Sequence, residues 1–466
     1  MSLDFDHSLL EKYDTQGPRY TSYPTAPEFT DGFTARDYLD HVKESNDELI
    51  PRPLSLYIHI PFCRSLCYYC GCNKIVTQNE ARAERYLEYL FHEIEIQSKL
   101  FATDRLVTQI HFGGGTPNFL NTDQFRELLG AVARHFHLSY PEDLEISIEI
   151  DPRFSNAAQI TELASIGFSR ISIGVQDYEV DVQRTINRIQ TREQVETVVN
   201  AARASGIRSV SVDLVVGLPH QTRNSFAETL QQVVESKVDR IAIYGFAYLP
   251  ERIKAQRMIP ASSLPSRDTR LAIGKDTLEF LKEAGYVHIG MDHFALPDDS
   301  LAVALREHTL KRSFQGYATH AECDQVGLGV SAISQVSNSY SQNSSTLPEY
   351  YARLDAGELP IQRGISLSDD DLIRAQVIQY IMCQNTVPFH SIEAAYGIDF
   401  LDYFRDELQE LRSFEQDGLV QYGNDEFTIT PTGRFFLRNI AMVFDRYLKD
   451  KSDLKSNNVV RFSRTI

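Results

Sequence analysis

The sequence has no long hydrophobic segment and is short of positive charge. Among its 466 residues, no apolar run approaches the ~20 residues that cross a membrane. The first residues, MSLDFDHSLLEKYDTQG, are acidic and contain no apolar core of the secretory type. Sixty-four acidic against 46 basic side chains give a net charge of −18, which repels phosphates of nucleic acids and anionic membranes. We therefore expect a cytoplasmic protein with no membrane span and no nucleic-acid partner.

Cysteine is also scarce, and its distribution is uneven. The chain has six cysteines, and four of them (Cys63, Cys67, Cys70 and Cys72) fall within one short segment. The disulfide framework of a secreted protein would spread its cysteines along the chain. Clustered thiols in a cytosolic protein instead indicate a metal or redox site.

From about residue 54 the apolar pattern alternates between short strand-like runs and longer helical ones. This alternation is typical of βα units on a parallel sheet. The predicted strands are Leu54–Ile60, Val107–Phe112, Leu144–Ile150, Arg170–Gly174, Ser209–Val216 and Arg240–Phe246. The predicted helices are Ala81–Lys99, Thr122–Phe136, Arg192–Ser205, Ser225–Glu235 and Ser266–Ala284. Six βα units form an α/β partial barrel, short of the eight that close a full one.

The segments on either side of this barrel have different patterns. We expect residues 1–50 to form an N-terminal arm and lead-in, extended over the Pro- and Tyr-rich stretch Gln16–Phe29. Residues 51–365 would hold the barrel and its extension. Residues 366–466 are predicted to form a mostly helical, winged-helix-like module, with a hairpin turn at Gly423-Asn424-Asp425 and a helix from about Pro431. The module's excess of acidic side chains argues against DNA binding, the usual role of such a unit.

The cysteine segment follows the first predicted strand and has the spacing C-x3-C-x2-C-x-C. Cys63, Cys67 and Cys70 can each hold one iron of a [4Fe–4S] cluster. The fourth iron would then lack a ligand from this loop, as is required if it is to bind and cleave S-adenosylmethionine (SAM). A structural zinc site usually needs a second cysteine or histidine pair, which the sequence does not offer at a suitable distance. A non-enzymatic zinc protein remains the alternative on spacing alone.

Polar residues and glycines occur where the predicted strands end. Ligands of parallel βα folds bind outside the carboxyl ends of the strands. The residues at or near these ends are Gly113-Gly114-Gly115-Thr116, Glu149, Gln176, Asp213 and Ala247. The triple glycine either lets the backbone approach a ligand closely or forms a plain tight turn. Tyr57 and His59, two residues apart on the first strand, face the same side; His59 is either a proton handler or a satisfied core histidine.

Taken together, these motifs resemble the radical SAM superfamily, whose members share a partial βα barrel. More narrowly, the chain resembles the oxygen-independent coproporphyrinogen III oxidase family from about residue 8 to its C-terminus. The strings that carry this resemblance are PRYTSYPT (18–25), CYYCGCNK (67–74), HFGGGTP (111–117), EISIEIDPR (145–153), GVQD (174–177), GMDHFA (290–295), SFQGY (313–317) and GLGVSAIS (327–334).

The resemblance implies a role for particular residues. Cys63, Cys67 and Cys70 would ligate the [4Fe–4S] cluster. The residues implied to hold SAM, of which two molecules are expected, are Tyr57, Tyr69, Gly114, Gly115, Thr116, Glu149, Gln176, Arg188, Asp213, Ala247 and Ile333. Tyr57, His59 and Glu149 would be catalytic. Substrate contacts are expected from Arg19, Phe314 and Gln315.

The implied activity is the oxidative decarboxylation of coproporphyrinogen III to protoporphyrinogen IX in haem synthesis. A 5′-deoxyadenosyl radical from SAM would take a hydrogen from each of two propionates, which lose CO2 and become vinyl groups. The partners would be an unidentified reductant and electron acceptor, and we expect a monomer. The alternative is a haem-binding carrier of the same branch, but such carriers usually lack both the PRYTSYPT arm and Cys72. The role of Cys72 stays open, and we expect its thiol to point away from the cluster.

Overall fold

The computed structural model of the chain describes residues 7–319, 322–453 and 462–465. The α-helices in these ranges are α1 (His7–Tyr13), α2 (Ala35–Asn46), α3 (Ala81–Ser98), α4 (Thr122–His135), α5 (Ala157–Ser165), α6 (Val180–Thr185), α7 (Arg192–Ala204), α8 (Arg223–Glu235), α9 (Arg267–Glu283), α10 (Ser300–Arg306), α11 (Leu347–Asp355), α12 (Asp369–Cys383), α13 (Phe389–Tyr396), α14 (Phe400–Tyr403), α15 (Arg405–Gln416), α16 (Leu437–Met442) and α17 (Arg446–Asp453). Short 3-10 helices occupy Ala26–Glu28, Pro117–Phe119, Pro152–Phe154, Lys254–Met258, Ala261–Ser263 and Gly433–Phe436. No helix in the described ranges is long and apolar enough to cross a membrane.

The strands in the same ranges are β1 (Leu54–Ile60), β2 (Phe62–Cys63), β3 (Ile75–Val76), β4 (Leu106–Gly114), β5 (His137–Leu138), β6 (Glu145–Ile150), β7 (Arg170–Gln176), β8 (Ser209–Val216), β9 (Arg240–Gly245), β10 (Val287–Gly290), β11 (His293–Ala295), β12 (Lys311–Ser313), β13 (Gly316–Ala318), β14 (Asp324–Leu328), β15 (Ile333–Val336), β16 (Ser339–Asn343), β17 (Ile361–Ser366), β18 (Thr386–Pro388), β19 (Val420–Tyr422) and β20 (Glu426–Ile429).

Six parallel strands form the centre of the main sheet, in the order β9-β8-β7-β6-β4-β1. These are the six predicted strands, each shifted by at most a few residues at its ends. The helices predicted between and after them are α3, α4, α7, α8 and α9. The predicted α/β partial barrel of six βα units is therefore confirmed.

Both edges of this parallel sheet are extended by strands that the sequence analysis did not predict. Beyond β9 lie β11 and β10, both antiparallel to their neighbours. Beyond β1 lies the parallel strand β14, followed by the antiparallel strands β15, β16 and β17. This second extension carries Ile333 to the same end of the sheet as the cysteine loop.

The sequence makes these elements because apolar and polar residues alternate along the central strands. Leu56, Ile58 and Ile60 share one face of β1 and are fully buried, whereas Tyr57 and His59 share the other face and line a cavity. Helices with one apolar face pack outside; α3, for example, buries Leu90 and Ile94. Asn121, Thr191 and Thr222 each accept a backbone hydrogen bond that caps the helix beginning after them. The strand ends are thereby held at fixed positions around one cavity.

The C-terminal segment has the predicted mixture of helices and a hairpin. Helix α12 begins after Ser368, whose side chain and that of Asp371 form a capping box. Strands β19 and β20 are joined by the predicted turn at residues 423–425, and β18 completes a three-stranded sheet. The helix predicted from Pro431 instead begins as a 3-10 turn at Gly433 and becomes α-helical at Leu437.

The N-terminal arm, residues 16–29, is packed against this C-terminal segment. Tyr20 is 2% exposed and donates a hydrogen bond to Asp445 (2.8 Å). Arg438 of α16 donates to the carbonyls of Gly17 and Pro18. These hydrogen bonds hold the first part of the arm against the C-terminal segment.

Candidate active site

A cavity of about 790 Å³ lies at the carboxyl ends of the central strands. The predicted residues that line it are Arg19, Tyr57, His59, Gly114, Glu149, Phe314, Gln315 and Ile333, together with Cys72. The arm, the strands β1, β4 and β6, and the β12–β13 turn therefore contribute to one space. Four of the residues expected to contact SAM (Tyr57, Gly114, Glu149 and Ile333) and the three expected to contact the substrate (Arg19, Phe314 and Gln315) line this one cavity.

The triple glycine is explained by its contact with the cysteine loop. The amide groups of Gly115 and Thr116 donate to the carbonyls of Ile60 (2.9 Å) and Phe62 (2.9 Å). A Cβ on Gly115 would lie 2.8 Å from the backbone of Pro61, closer than side chains come to a backbone. Gly114 has φ of +122°, which also favours glycine. The loop after β4 thus lies directly against the loop that carries the cysteines.

The thiols of Cys63 and Cys67 each accept a hydrogen bond from a neighbouring side chain. Thr116 Oγ1 lies 3.4 Å from Cys63 Sγ. Arg153 and Arg188 donate to Cys67 Sγ at 3.5 and 3.6 Å. Such donors stabilise the thiolate form, which is the form that binds iron. Burial raises the pKa of Cys63 to about 11, so its thiolate would form on binding a metal.

The third thiol, Cys70, is paired with Cys72. A hydrogen bond donated by the Cys72 thiol lowers the pKa of Cys70, and the same pairing raises the pKa of Cys72. Cys72 is exposed and lines the cavity. The pairing places the Cys72 thiol beside that of Cys70, and the orientation of Cys72 relative to a bound cluster stays a prediction.

The three thiols fit an iron–sulfur cluster. They lie on one loop, with hydrogen-bond donors at two of them, and each thiolate of such a cluster binds a different iron. Within the described ranges, no three histidine, cysteine or acidic side chains gather closely enough to bind one metal ion. The loop therefore offers three thiols, as the ligation of three irons of such a cluster requires.

Asp151 holds the two arginines that reach Cys67. Its Oδ2 lies 2.6 Å from Arg153 and 2.9 Å from Arg188. Arg188 also donates to the carbonyl of Gly174 (2.6 Å), and Gln176 follows with φ of +68°. Asp151 and Arg153 were not predicted as site residues, although both belong to the string EISIEIDPR.

Two acceptor side chains of the strands have room for a ligand. Glu149 is 45% exposed, and its Oε1 lies 3.5 Å from His111 Nε2. Asp213 accepts a hydrogen bond from Ser172 (2.9 Å) and borders a smaller cavity of about 150 Å³. Burial, reinforced by the charge of Glu149, raises the pKa of Asp213 to about 7. Both carboxyl groups are suited to accept hydrogen bonds from an ammonium or from sugar hydroxyls.

Tyr57 and His59 lie on the same side of β1, as predicted, and their side chains are hydrogen-bonded to each other. Burial lowers the pKa of His59, so the ring is neutral at physiological pH. Its Nε2 lies 3.1 Å from the carbonyl of Asn73 and must carry the hydrogen. Its Nδ1, 3.2 Å from Tyr57 Oη, is then an acceptor from the phenol.

The other predicted SAM residues do not line the large cavity. Tyr69, Gly115, Thr116, Gln176, Arg188, Asp213 and Ala247 lie around the cysteine loop and the strand ends beside it. Gln256, which is 1% exposed, donates to the carbonyls of Tyr69 (3.0 Å) and Ala247 (2.9 Å). It therefore joins the cysteine loop to the loop after β9. No motif marks Gln256 in the sequence.

The fold and the three-thiol loop define a radical SAM enzyme. The sequence profile of the Radical SAM superfamily matches residues 57–233, and that of the HemN C-terminal domain matches residues 367–436. Radical SAM proteins use a [4Fe–4S] cluster and SAM, and the residues here fit both.

More particularly, the chain belongs to the oxygen-independent coproporphyrinogen III oxidase family. It is 46% identical over 465 residues to the enzyme of that name from Pseudomonas aeruginosa, covering 100% of this chain and 99% of that one. The enzyme from Escherichia coli is 44% identical over 464 residues, again 100% and 99% of the two chains. A solved structure of coproporphyrinogen III oxidase (HemN) from Escherichia coli, a radical SAM enzyme, is also similar. Its TM-score to this chain is 0.90 at 43% identity, and the match covers 96% of this chain and 100% of that chain.

Proposed function

We propose that this chain converts coproporphyrinogen III to protoporphyrinogen IX without oxygen, by oxidative decarboxylation of two propionates. The observation that carries the proposal is the shared cavity. It is bordered at one place by Cys72, next to the cluster cysteines, and at others by Arg19 and Arg312, which are suited to carboxylates. A cluster-bound SAM and a propionate would meet in this space.

When bound, the cluster and SAM supply one electron and an adenosyl radical that takes a hydrogen atom from the propionate β-carbon. The chain's residues bind and orient the reactants. Glu149 would accept a hydrogen bond from the amino group of a bound SAM, and Asp213 would accept from its ribose hydroxyls. Tyr69 would help to hold the adenine, and Ile333 would help to hold a second SAM. The hydrogen-bonded pair of Tyr57 and His59 can hold or pass a proton at Tyr57 Oη.

The electron balance requires two partners. Each propionate that becomes a vinyl group loses one hydrogen atom, one CO2 and one further electron. One electron must enter for each SAM cleaved, and the electron left by the substrate must go to an acceptor. We propose a separate reductant and acceptor, a monomeric enzyme and a cytoplasmic location. Free cysteines in the described ranges support a reducing compartment.

The test is an anaerobic incubation of cluster-reconstituted protein with SAM, a reductant, an electron acceptor from cell extract and coproporphyrinogen III. Porphyrinogens are then oxidised and separated by chromatography. Protoporphyrin formed by the wild type is the expected result. Tight haem binding with no conversion, by protein that still cleaves SAM, would favour the carrier and refute the proposal.

A further inference from the structure

Arg312, at the centre of strand β12, is a buried cation without a carboxylate partner. It is 4% exposed, and its Nη1 is buried with no hydrogen-bond acceptor in the described part of the chain. Nε donates to the carbonyl of Arg19 (3.2 Å), and the guanidinium lies 4.7 Å from the ring centre of Tyr317. A buried charge is costly unless it is paired, so this arrangement calls for an anion from outside the chain.

The surroundings of Arg312 are rich in positive charge. Arg19 and Arg363 line the same cavity. Arg19 is paired with Asp292, and Arg363 donates to Gln342 (2.8 Å). Among the ion pairs of the described residues, none joins Arg312 or Arg363 to an acidic side chain. The cavity is also lined by the acids Asp31 and Glu149, so the attraction for a carboxylate is local to the wall that holds Arg312 and Arg363.

The C-terminal segment fixes the backbone of Arg312. Gln379 of α12 donates to the carbonyl of Arg312 (2.7 Å), and its Oε1 accepts from the amide of Arg312 (3.1 Å). Tyr317, which lies under the guanidinium, donates to the carbonyl of Met382 on the same helix (2.8 Å). These contacts leave the strand little freedom to shift, so the position of the guanidinium is set by α12.

We propose that Arg312 binds a propionate carboxylate of the substrate and that Gln379 is its positioning residue. This inference rests on the proposed function, since it assigns the carboxylate-binding group of the same cavity. It also gives the C-terminal segment a role: α12 supports the substrate wall of the cavity from outside. Arg312 is better placed for this role than Arg19, because Arg19 must first leave Asp292.

The test compares Arg312→Gln with Lys311→Gln in the reconstituted holoenzyme. Lys311 is the neighbouring residue on β12 and does not line the cavity, so its variant removes the same charge without touching the site. Loss of a charge-assisted hydrogen bond is expected to raise KM for coproporphyrinogen III by about 10- to 100-fold. The iron–sulfur absorbance and SAM cleavage without substrate should match those of Lys311→Gln.

A second measurement does not depend on turnover. Coproporphyrin III, the oxidised form that is not converted, is titrated against each variant, and its fluorescence anisotropy gives Kd. We expect Arg312→Gln to raise Kd by at least about tenfold and Gln379→Leu to raise it by a few-fold. The Kd of Arg312→Lys should lie between those of Arg312→Gln and the wild type, because lysine keeps the charge but cannot donate two parallel hydrogen bonds to a carboxylate.

The outcomes separate the two ideas. A wild type that binds coproporphyrin III through Arg312 but forms no protoporphyrin would contradict the proposed function alone. Equal KM and Kd in Arg312→Gln and Lys311→Gln would overturn the assignment of Arg312. If Arg312→Gln does not fold, Gln379→Leu decides by the same two readouts, and unchanged values there would overturn the role of α12.

Discussion

Replacing Asp213 by asparagine should stabilise the protein while weakening its hold on SAM. Asp213 lies within β8, where protein atoms surround its carboxyl group and Ser172 is its hydrogen-bond donor. Burial raises its pKa from the ordinary 3.8 to about 7, because the charged form is poorly solvated there. Asparagine keeps the acceptor for Ser172 but cannot ionise.

The sign of the effect follows from the direction of this pKa shift. The folded protein keeps this proton up to about pH 7, whereas the unfolded chain releases it near 3.8. The wild type therefore loses stability as the pH rises from about 4 to about 7, and the loss is complete above that range. At about 1.4 kcal/mol for each pH unit, the loss in free energy of unfolding is at most about 4 kcal/mol. Because Asp213 borders a cavity of about 150 Å³, its carboxylate is not fully enclosed by protein, and we expect roughly half of this bound.

The assay is thermal unfolding of SAM-free protein at about pH 8 and about pH 5. The Tm of Asp213→Asn should exceed that of the wild type by a few degrees at the higher pH, and the two Tm values should be nearly equal at the lower pH. SAM affinity, measured by equilibrium dialysis, should fall about tenfold or more. Asp181→Asn, at an exposed position of α6, is the control. A midpoint lowered equally at both pH values, or unchanged SAM affinity, would refute the reasoning.

Three other changes test the site and its support. Gln256→Leu removes the hydrogen bonds to the carbonyls of Tyr69 and Ala247. It should raise the KM for SAM several-fold and leave the iron–sulfur absorbance unchanged, whereas loss of the cluster would contradict this prediction. Gln231→Leu, on the exposed face of α8, is the control. Glu93→Leu removes the acceptor for three hydrogen-bond donors: Tyr350, Asn343 and the amide of Gly329. It should lower the free energy of unfolding by roughly 3 kcal/mol or more. If Glu93→Leu lowered this free energy less than Glu93→Gln does, the claim that unpaired buried donors destabilise the fold would be contradicted. Cys63→Ala should abolish both the iron–sulfur absorbance and activity, and an active, brown variant would contradict the assignment of the cluster ligands.

The central strands and helices could be predicted because their patterns are local. Apolar runs such as Leu54–Ile60 are long enough to identify a buried strand, and helices such as α3 repeat their apolar side every three or four residues. The outer strands β15 and β16 are short and carry several serines and glutamines. They pair with each other as a hairpin and join the main sheet through β14, which pairs with the distant strand β1. Their own sequences lack the apolar run that identifies a buried strand.

Some residues of the candidate site could likewise be predicted from local sequence, and others could not. Motif spacing identified the cysteine loop, the glycine turn and Glu149, since these depend on a few neighbouring residues. Gln256 and Gln379 could not be predicted, because each works through backbone groups distant in sequence. Arg312 stands two residues before the predicted Phe314, but only the packing on α12 shows that its charge is buried and unpaired.

The most direct test of the central claim uses coproporphyrinogen III carrying deuterium at the propionate β-carbons. Cluster-reconstituted protein is incubated with this substrate, SAM, a reductant and an electron acceptor, and the 5′-deoxyadenosine formed is analysed by mass spectrometry. We predict that it gains deuterium in step with protoporphyrinogen formation, and that neither product appears with Cys63→Ala. Protoporphyrinogen formed without any deuterium in the 5′-deoxyadenosine would contradict the account.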